Sequence, residues 1–212
     1  MISVDQARRL YADNDSAHGF DHVLRVTRLA ERLAAEEGAD LEIVRTAALL
    51  HDIARAEQEH TGTSHGELGA LRAREILAGY PPERVEAVAA AIEQHRFRVD
   101  NPPVTLEAQV LYDADKLDAI GAVGVARAYA YGGQSQQRLW AEVDPSYATL
   151  SADAVDRSLA NGEHTPVHEF VFKLTRLKDR MLTESGRKMA AERHDFMVAF
   201  FARLEHEVRG SV

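Results

Sequence analysis

The 212-residue chain has no cysteine. That excludes disulfides, zinc sites built on thiolates and a thiol nucleophile. It also lacks a cationic start followed by a short apolar stretch, and no uninterrupted apolar span is long enough to cross a bilayer. A cytoplasmic protein with no membrane partner is expected. Basic residues are in deficit, 25 against 34 acidic, for a formal charge of −9. An acidic chain is a poor fit to the phosphate backbone, so no stable nucleic-acid partner is expected. A phosphorylated small molecule stays open, because a metal and a few arginines can reverse the potential inside one cleft. Missing too are internal repeats, low-complexity segments, a dinucleotide-binding glycine loop, a P-loop and the clean alternation of a sheet.

What is present is helix-forming sequence, rich in Ala, Leu, Arg and Glu. With 45% hydrophobic residues the chain can bury one large core. The expected class is all-α: a helical bundle with long C-terminal helices packed on it. A single domain over 1–212 is predicted, with a core at about 18–130 and a helical extension at about 151–212. Helices are expected over Val4–Tyr11, Asp21–Glu37 with Gly38 as a stop, and Leu41–Ile53, which is apolar enough for the middle of a bundle. Ser64 and Glu67 suggest a capping box for a helix ending near Gly79. Pro81 and Pro82 open a helix reaching His95, and Thr105 caps one running toward Leu117. Gly121 and Gly124 permit a break or close packing before Val125–Ala130, with Tyr131-Gly-Gly133 as its end. Two long amphipathic helices are expected over Val167–Met181 and Ser185–Arg209, and a short one over Ser151–Leu159. Nothing in these patterns sets the oligomeric state.

The chemistry concentrates in a few residues. His22 lies on the first long helix, His51-Asp52 closes the apolar run Ala47-Ala-Leu-Leu, and Asp115 sits within Tyr112-Asp-Ala-Asp-Lys-Leu-Asp118. Buried imidazoles and carboxylates are costly unless paired or bound to a metal, and this donor set suits a divalent ion. Asp115 and Asp118 are one helical turn apart, whereas Asp113 points elsewhere. Spacing alone leaves open both a metal site and ordinary core or surface residues.

The local strings HGFDHVLRV, AALLHDIA and YDADKLDAIGAVGVAR resemble those of the HD-domain family of metal-dependent phosphohydrolases. YGG and the later FKLTRLKDRMLTESGRKMAAERHDF extend the resemblance to a bacterial and archaeal subgroup related to nucleotide phosphohydrolases and pyrophosphohydrolases. The resemblance implies an all-helical bundle in which His22, His51, Asp52 and Asp115 ligate one divalent metal. Mn²⁺ is favoured, with Ni²⁺, Co²⁺, Fe²⁺, Mg²⁺ and Zn²⁺ as alternatives. His65 and His95 stand at intervals where some members hold a second metal or touch phosphate. Catalytic roles fall to Asp52, which ligates and orients water, to His95 as a proton carrier, and to Asp118 as an organiser of water or metal. Arg25, Lys116 and Arg127 are the candidate phosphate-binding cations, with Lys173 a weaker one.

One departure matters. Some relatives place a catalytic glutamate three residues after the aspartate of the pair; here that residue is Arg55, which binds phosphate or pairs with a carboxylate. The implied activity is attack of metal-activated water on phosphorus, with nucleotides as the leading substrate class and pyrophosphate release from nucleoside triphosphates as a narrower form. The alternative is a metal-stabilised nucleotide sensor or interaction protein without turnover.

Overall fold

The computed structural model describes residues 1–11, 19–96 and 102–211. Residues 12–18, 97–101 and 212 lie outside them. Among the described residues every regular element is helical and no strand occurs. No helix is long and apolar enough to cross a membrane. The chain divides into two compact units, Met1–Leu117 with Met181–Gly186, and Asp118–Arg180 with Arg187–Val212. The first division falls between residues 117 and 118.

The first unit contains α1 (Val4–Arg8), α2 (Phe20–Glu37), α3 (Leu41–Leu50), α4 (Arg55–Thr61), α5 (His65–Ile76), α6 (Pro82–Gln94) and α7 (Leu106–Asp118). Gly38 ends α2 in the left-handed region, at φ 78°. Asp40 then caps α3, its carboxylate accepting from the Glu42 and Ile43 amides at 3.0 and 3.1 Å. Ile43, Val44 and every residue from Thr46 to Leu50 are buried, and α3 packs against both α2 and α6. It is the central helix of this unit. It ends at Leu50, and His51–Ala54 form a turn instead of continuing to Ile53.

Ser64 precedes α5 as expected, but its side chain makes no capping bond and the box with Glu67 does not form. Gln58 explains this: its side-chain oxygen reaches from α4 and takes the His65 amide at 3.1 Å. Thr105 does cap α7, accepting from the Ala108 amide at 3.2 Å.

The second unit contains α8 (Gly121–Gln134), a 3-10 turn (Pro145–Thr149), α9 (Ala152–Ala160), α10 (Pro166–Phe172), a 3-10 segment (Leu174–Arg180) and most of α11 (Glu184–Val208). Both glycine expectations hold, at different residues. Gly121 takes φ +76°, while a Cβ on Gly124 would lie 2.3 Å from the Ala119 carbonyl oxygen. Tyr131-Gly-Gly133 does not end α8, which continues to Gln134. Gly132 serves packing there, since a Cβ would come within 3.1 Å of Pro166. The long helix expected over Val167–Met181 is also absent: α10 stops at Phe172 and a 3-10 segment follows. Thr175 Oγ1 donates back to the Val171 carbonyl at 3.2 Å, a bond that bends helices.

Candidate metal centre

Helices α2, α3, α5 and α6 bring distant histidines to one carboxylate. His22 comes from the first turn of α2, His51 and Asp52 from the turn after α3, His65 from the start of α5 and His95 from the end of α6. All four imidazoles are at most 1% exposed, and Asp52 is 5% exposed. Asp52 Oδ2 lies 3.7 Å from both His22 Nε2 and His51 Nε2. Its other oxygen, Oδ1, lies 3.1 Å from His65 Nε2 and 3.8 Å from His95 Nε2. Asp115 joins at the first end, with Oδ1 3.5 Å from His22 Nε2. Among the described residues, two groups that could hold a metal ion result, His22–His51–Asp52 and Asp52–His65–His95.

The approach of α5 to α6 depends on glycine. A Cβ on Gly66 would stand 2.9 Å from the Glu93 carbonyl oxygen, and one on Gly69 would stand 3.0 Å from Ile92 Cγ2. Because these residues lack it, His65 and His95 meet with their Nε2 atoms 3.2 Å apart.

The tautomers follow from the outer nitrogens. His51 Nδ1 lies 2.8 Å from the Ala48 carbonyl, and His95 Nδ1 is in short contact with the Ile92 carbonyl. A carbonyl only accepts, so both Nδ1 atoms carry the proton and both Nε2 atoms face inward bare. His65 Nδ1 has two neighbours, the Gln58 side-chain oxygen at 2.8 Å and Arg96 Nη1 at 3.3 Å. The shorter contact to an acceptor decides: His65 also carries its proton on Nδ1. His65 and His95 then present facing lone pairs, as do two ligands waiting for a cation. Neutral nitrogens around an anionic carboxylate fit a divalent ion.

Electrostatics agree with that donor state. Burial pushes the His51 imidazole down to about 4, against the opposing pull of Asp52, and it pushes His65 down as well. Burial would raise the Asp52 carboxyl, but the surrounding imidazoles, His51 first and then His65 and His95, outweigh it and hold Asp52 well below the usual carboxylate range. At Asp115 burial is likewise outweighed, chiefly by Lys116 and then His22, and the carboxyl stays low. Tyr11, whose hydroxyl donates to the Leu49 carbonyl at 3.0 Å, is pushed up by burial and then by the Asp52 charge.

The remaining predicted residues are placed as follows. Lys116 Nζ lies 2.6 Å from Asp115 Oδ2 and 5.0 Å from the centre of the Tyr112 ring. Arg25 pairs with Asp21 along the outside of α2 at 2.6 Å. In the second unit Asp118, 1% exposed, accepts from Arg127 Nη1 at 3.0 Å, and the Asp118 carbonyl accepts from the same nitrogen at 3.2 Å. This pair accounts for both side chains without a ligand. Lys173 pairs with Glu169 at 2.9 Å. Gln58 was missed by sequence reasoning, since an amide has no metal chemistry of its own to mark it. The spacing His65-Gly66-x-x-Gly69 was a usable signal for close helix packing.

The HD domain family model matches residues 19–120. YpgQ of Bacillus subtilis is 33% identical over 205 residues, covering 95% of this chain and 89% of that protein. The crystal structure of YpgQ in complex with ADP is similar at a TM-score of 0.72 and 30% identity, over 98% of this chain and 99% of that one. A predicted HD superfamily hydrolase from an uncultured Thermotogales bacterium gives a TM-score of 0.67 and 31% identity, over 96% and 90% of the two chains.

Proposed function

Because this chain belongs to the HD-domain family, we propose that it is a divalent-metal-dependent phosphohydrolase of nucleotides. Its narrower form is release of pyrophosphate from nucleoside triphosphates. The observation that carries the reading is the convergence of four buried imidazole nitrogens on the two oxygens of Asp52. The ADP bound by YpgQ supports a nucleotide as the ligand class.

In this reading His22, His51, Asp52 and Asp115 would hold one ion, and Asp52, His65 and His95 would hold a second. Mn²⁺ is the favoured ion. Such ions supply Lewis acidity toward a phosphoryl oxygen and make coordinated water more acidic at neutral pH. The chain's own residues do the rest. The Ala48 and Ile92 carbonyls and Gln58 hold three imidazoles in the orientation and tautomer that ligation requires. Asp52, anionic and shared, links the two groups of nitrogens and would orient the attacking water. Lys116 meets substrate phosphate beside Asp115. The buried Nε2 of His95 suits a ligand better than a proton carrier, because its other nitrogen is committed to a backbone carbonyl.

The test strips the protein of metal and assays a nucleotide panel with Mn²⁺, Ni²⁺, Co²⁺, Mg²⁺ and Zn²⁺. Metal-dependent product is expected; none across the panel, with occupancy confirmed, overturns the reading. A nucleotide sensor without turnover is the second reading. It is favoured by one feature, the presence of Arg55 rather than an acid one turn after Asp52.

A further inference from the structure

Most arginines of the first unit are spent on surface carboxylates. Arg72 pairs with Glu57 and Glu75, Arg74 with Glu86, and Arg84 with Asp40 and Glu42. Arg55 differs. Its ion-pair partner among the described residues is Asp52, the carboxylate shared by all four imidazoles, with Nη1 3.6 Å from Oδ2. The backbone dictates this position. The Arg55 amide donates to the Asp52 carbonyl at 3.0 Å across the turn after α3, and Arg55 is the first residue of α4. The Asp52 side chain is 4% exposed and that of Arg55 is 38% exposed. One edge of the guanidinium therefore faces the buried carboxylate while the remainder faces solvent.

Lys116 repeats the arrangement at Asp115, the other carboxylate beside His22 Nε2. Its Nζ touches Asp115 Oδ2, and Asp115 Oδ1 faces His22. Two long cations thus reach the His22–His51–Asp52–Asp115 end from outside, each through a carboxylate that also faces the ligand cluster. A carboxylate that faces a divalent ion has less charge to offer a neighbouring cation. With the site loaded, Arg55 and Lys116 become net positive groups beside it. The Arg55 contact is longer than a hydrogen bond, and a guanidinium has five donors to turn toward an anion.

We infer that Arg55 binds substrate, gripping a pyrophosphoryl group together with Lys116. The inference rests on the phosphohydrolase reading and narrows its ligand to one with adjacent phosphates. Two cations at one end suit the charge of a diphosphate better than that of a monoester, and the planar fork of arginine suits two oxygens at once.

The test is calorimetric titration of the full, Mn²⁺-loaded chain with ADP, and with AMP as the single-phosphate comparison. Arg55→Gln and Arg55→Lys are titrated in parallel, with metal content and circular dichroism measured on each. Arg55→Gln is expected to keep its metal and fold and to weaken ADP binding by about ten- to a hundred-fold, the range for a charge-assisted contact. AMP binding weakens less, and Arg55→Lys recovers part of the ADP loss. ADP binding equal to the parent's in Arg55→Gln overturns the inference and leaves the proposed function standing. If the loaded parent itself neither binds nor hydrolyses any nucleotide, the proposed function fails and takes the inference with it.

Discussion

Two histidine clusters, one in each unit, separate a site from packing. In the first, His22, His51, His65 and His95 turn their Nε2 atoms toward a single carboxylate, and the last three satisfy their outer nitrogens on backbone or Gln58. In the second, the bonds close on themselves. Tyr147 donates its hydroxyl proton to His164 Nδ1 at 2.8 Å, and His164 Nε2 lies 3.5 Å from Glu169. Thr165 Oγ1 and His168 Nδ1 are 2.8 Å apart, and the Tyr147 ring stands edge-on to His168 at 4.5 Å. Burial works against the Glu169 charge, yet His164 and Lys173 hold its carboxyl down to about 2. Burial, then His164 and Arg138, lowers His168 to about 4. Both clusters are buried and rich in imidazole. Only the first leaves lone pairs converging on one point, and that convergence is what a cation answers.

The strongest way to break this contrast is Asp52→Ala. Removing the shared carboxylate should lose both ions and lower activity by more than about a hundred-fold, since even outer partners of metal ligands matter by 10–100-fold. Elemental analysis of the purified variant checks the metal and product assay checks turnover. Activity retained with metal bound would refute the role of Asp52.

Two aspartates two residues apart sharpen it next. Asp113 is buried and accepts from the Leu182 amide at 2.9 Å and from the Thr183 amide and hydroxyl at 2.8 and 2.7 Å. Asp113→Ala should cost about 3 kcal/mol in urea unfolding, from several charge-assisted bonds lost together, and leave metal stoichiometry intact. Asp115→Ala should do the reverse, losing metal with little loss of stability. The same pattern in both variants would remove the distinction.

Gly66→Ala tests whether close packing of α5 and α6 builds the second group. Overpacking against the Glu93 carbonyl is expected to cost about 1–2 kcal/mol after the gain in helix propensity. It should reduce bound metal from two ions to one. Two ions bound at parental affinity would show that His65 and His95 do not depend on that approach.

The smallest effect concerns the closed cluster and pH. His168 is kept neutral in the folded chain, whereas in the unfolded chain it titrates near its ordinary value of 6.5. Its contribution to stability is full above that value and is lost as pH falls from 6.5 toward about 4, because protons then favour the unfolded chain. His168→Gln should flatten the stability difference between about pH 7 and about pH 5, measured by denaturant unfolding with metal at saturation. An unchanged slope would show that His168 does not titrate differently on folding.

The helices were legible where the code is local. Gly38, Pro82 and Thr105 mark ends by chemistry acting within one turn, and all three act as the residue string indicates. Two expectations failed where a distant or competing partner intervened. Gln58 displaced the Ser64 box, and Thr175 bonded back to interrupt the helix after Phe172. Asp113 and Asp115 were separable in advance because residues two apart on a helix point in different directions. That Asp113 binds Leu182 and Thr183 was not, since those partners lie 69 and 70 residues away.

The string of residues was enough to name the donor types, their helices and the adjacency of His51 with Asp52, because side-chain chemistry and helical period are short-range properties. It could not say that Asp52 divides its oxygens between two groups of histidines. Nor could it say which imidazole nitrogen is bare, or that Arg55 rests on the shared carboxylate. Those depend on α5 meeting α6 at Gly66 and Gly69, and on carbonyls that accept from Nδ1. Tertiary packing decided them, because only packing sets which polar atoms, far apart in the chain, must satisfy one another away from water.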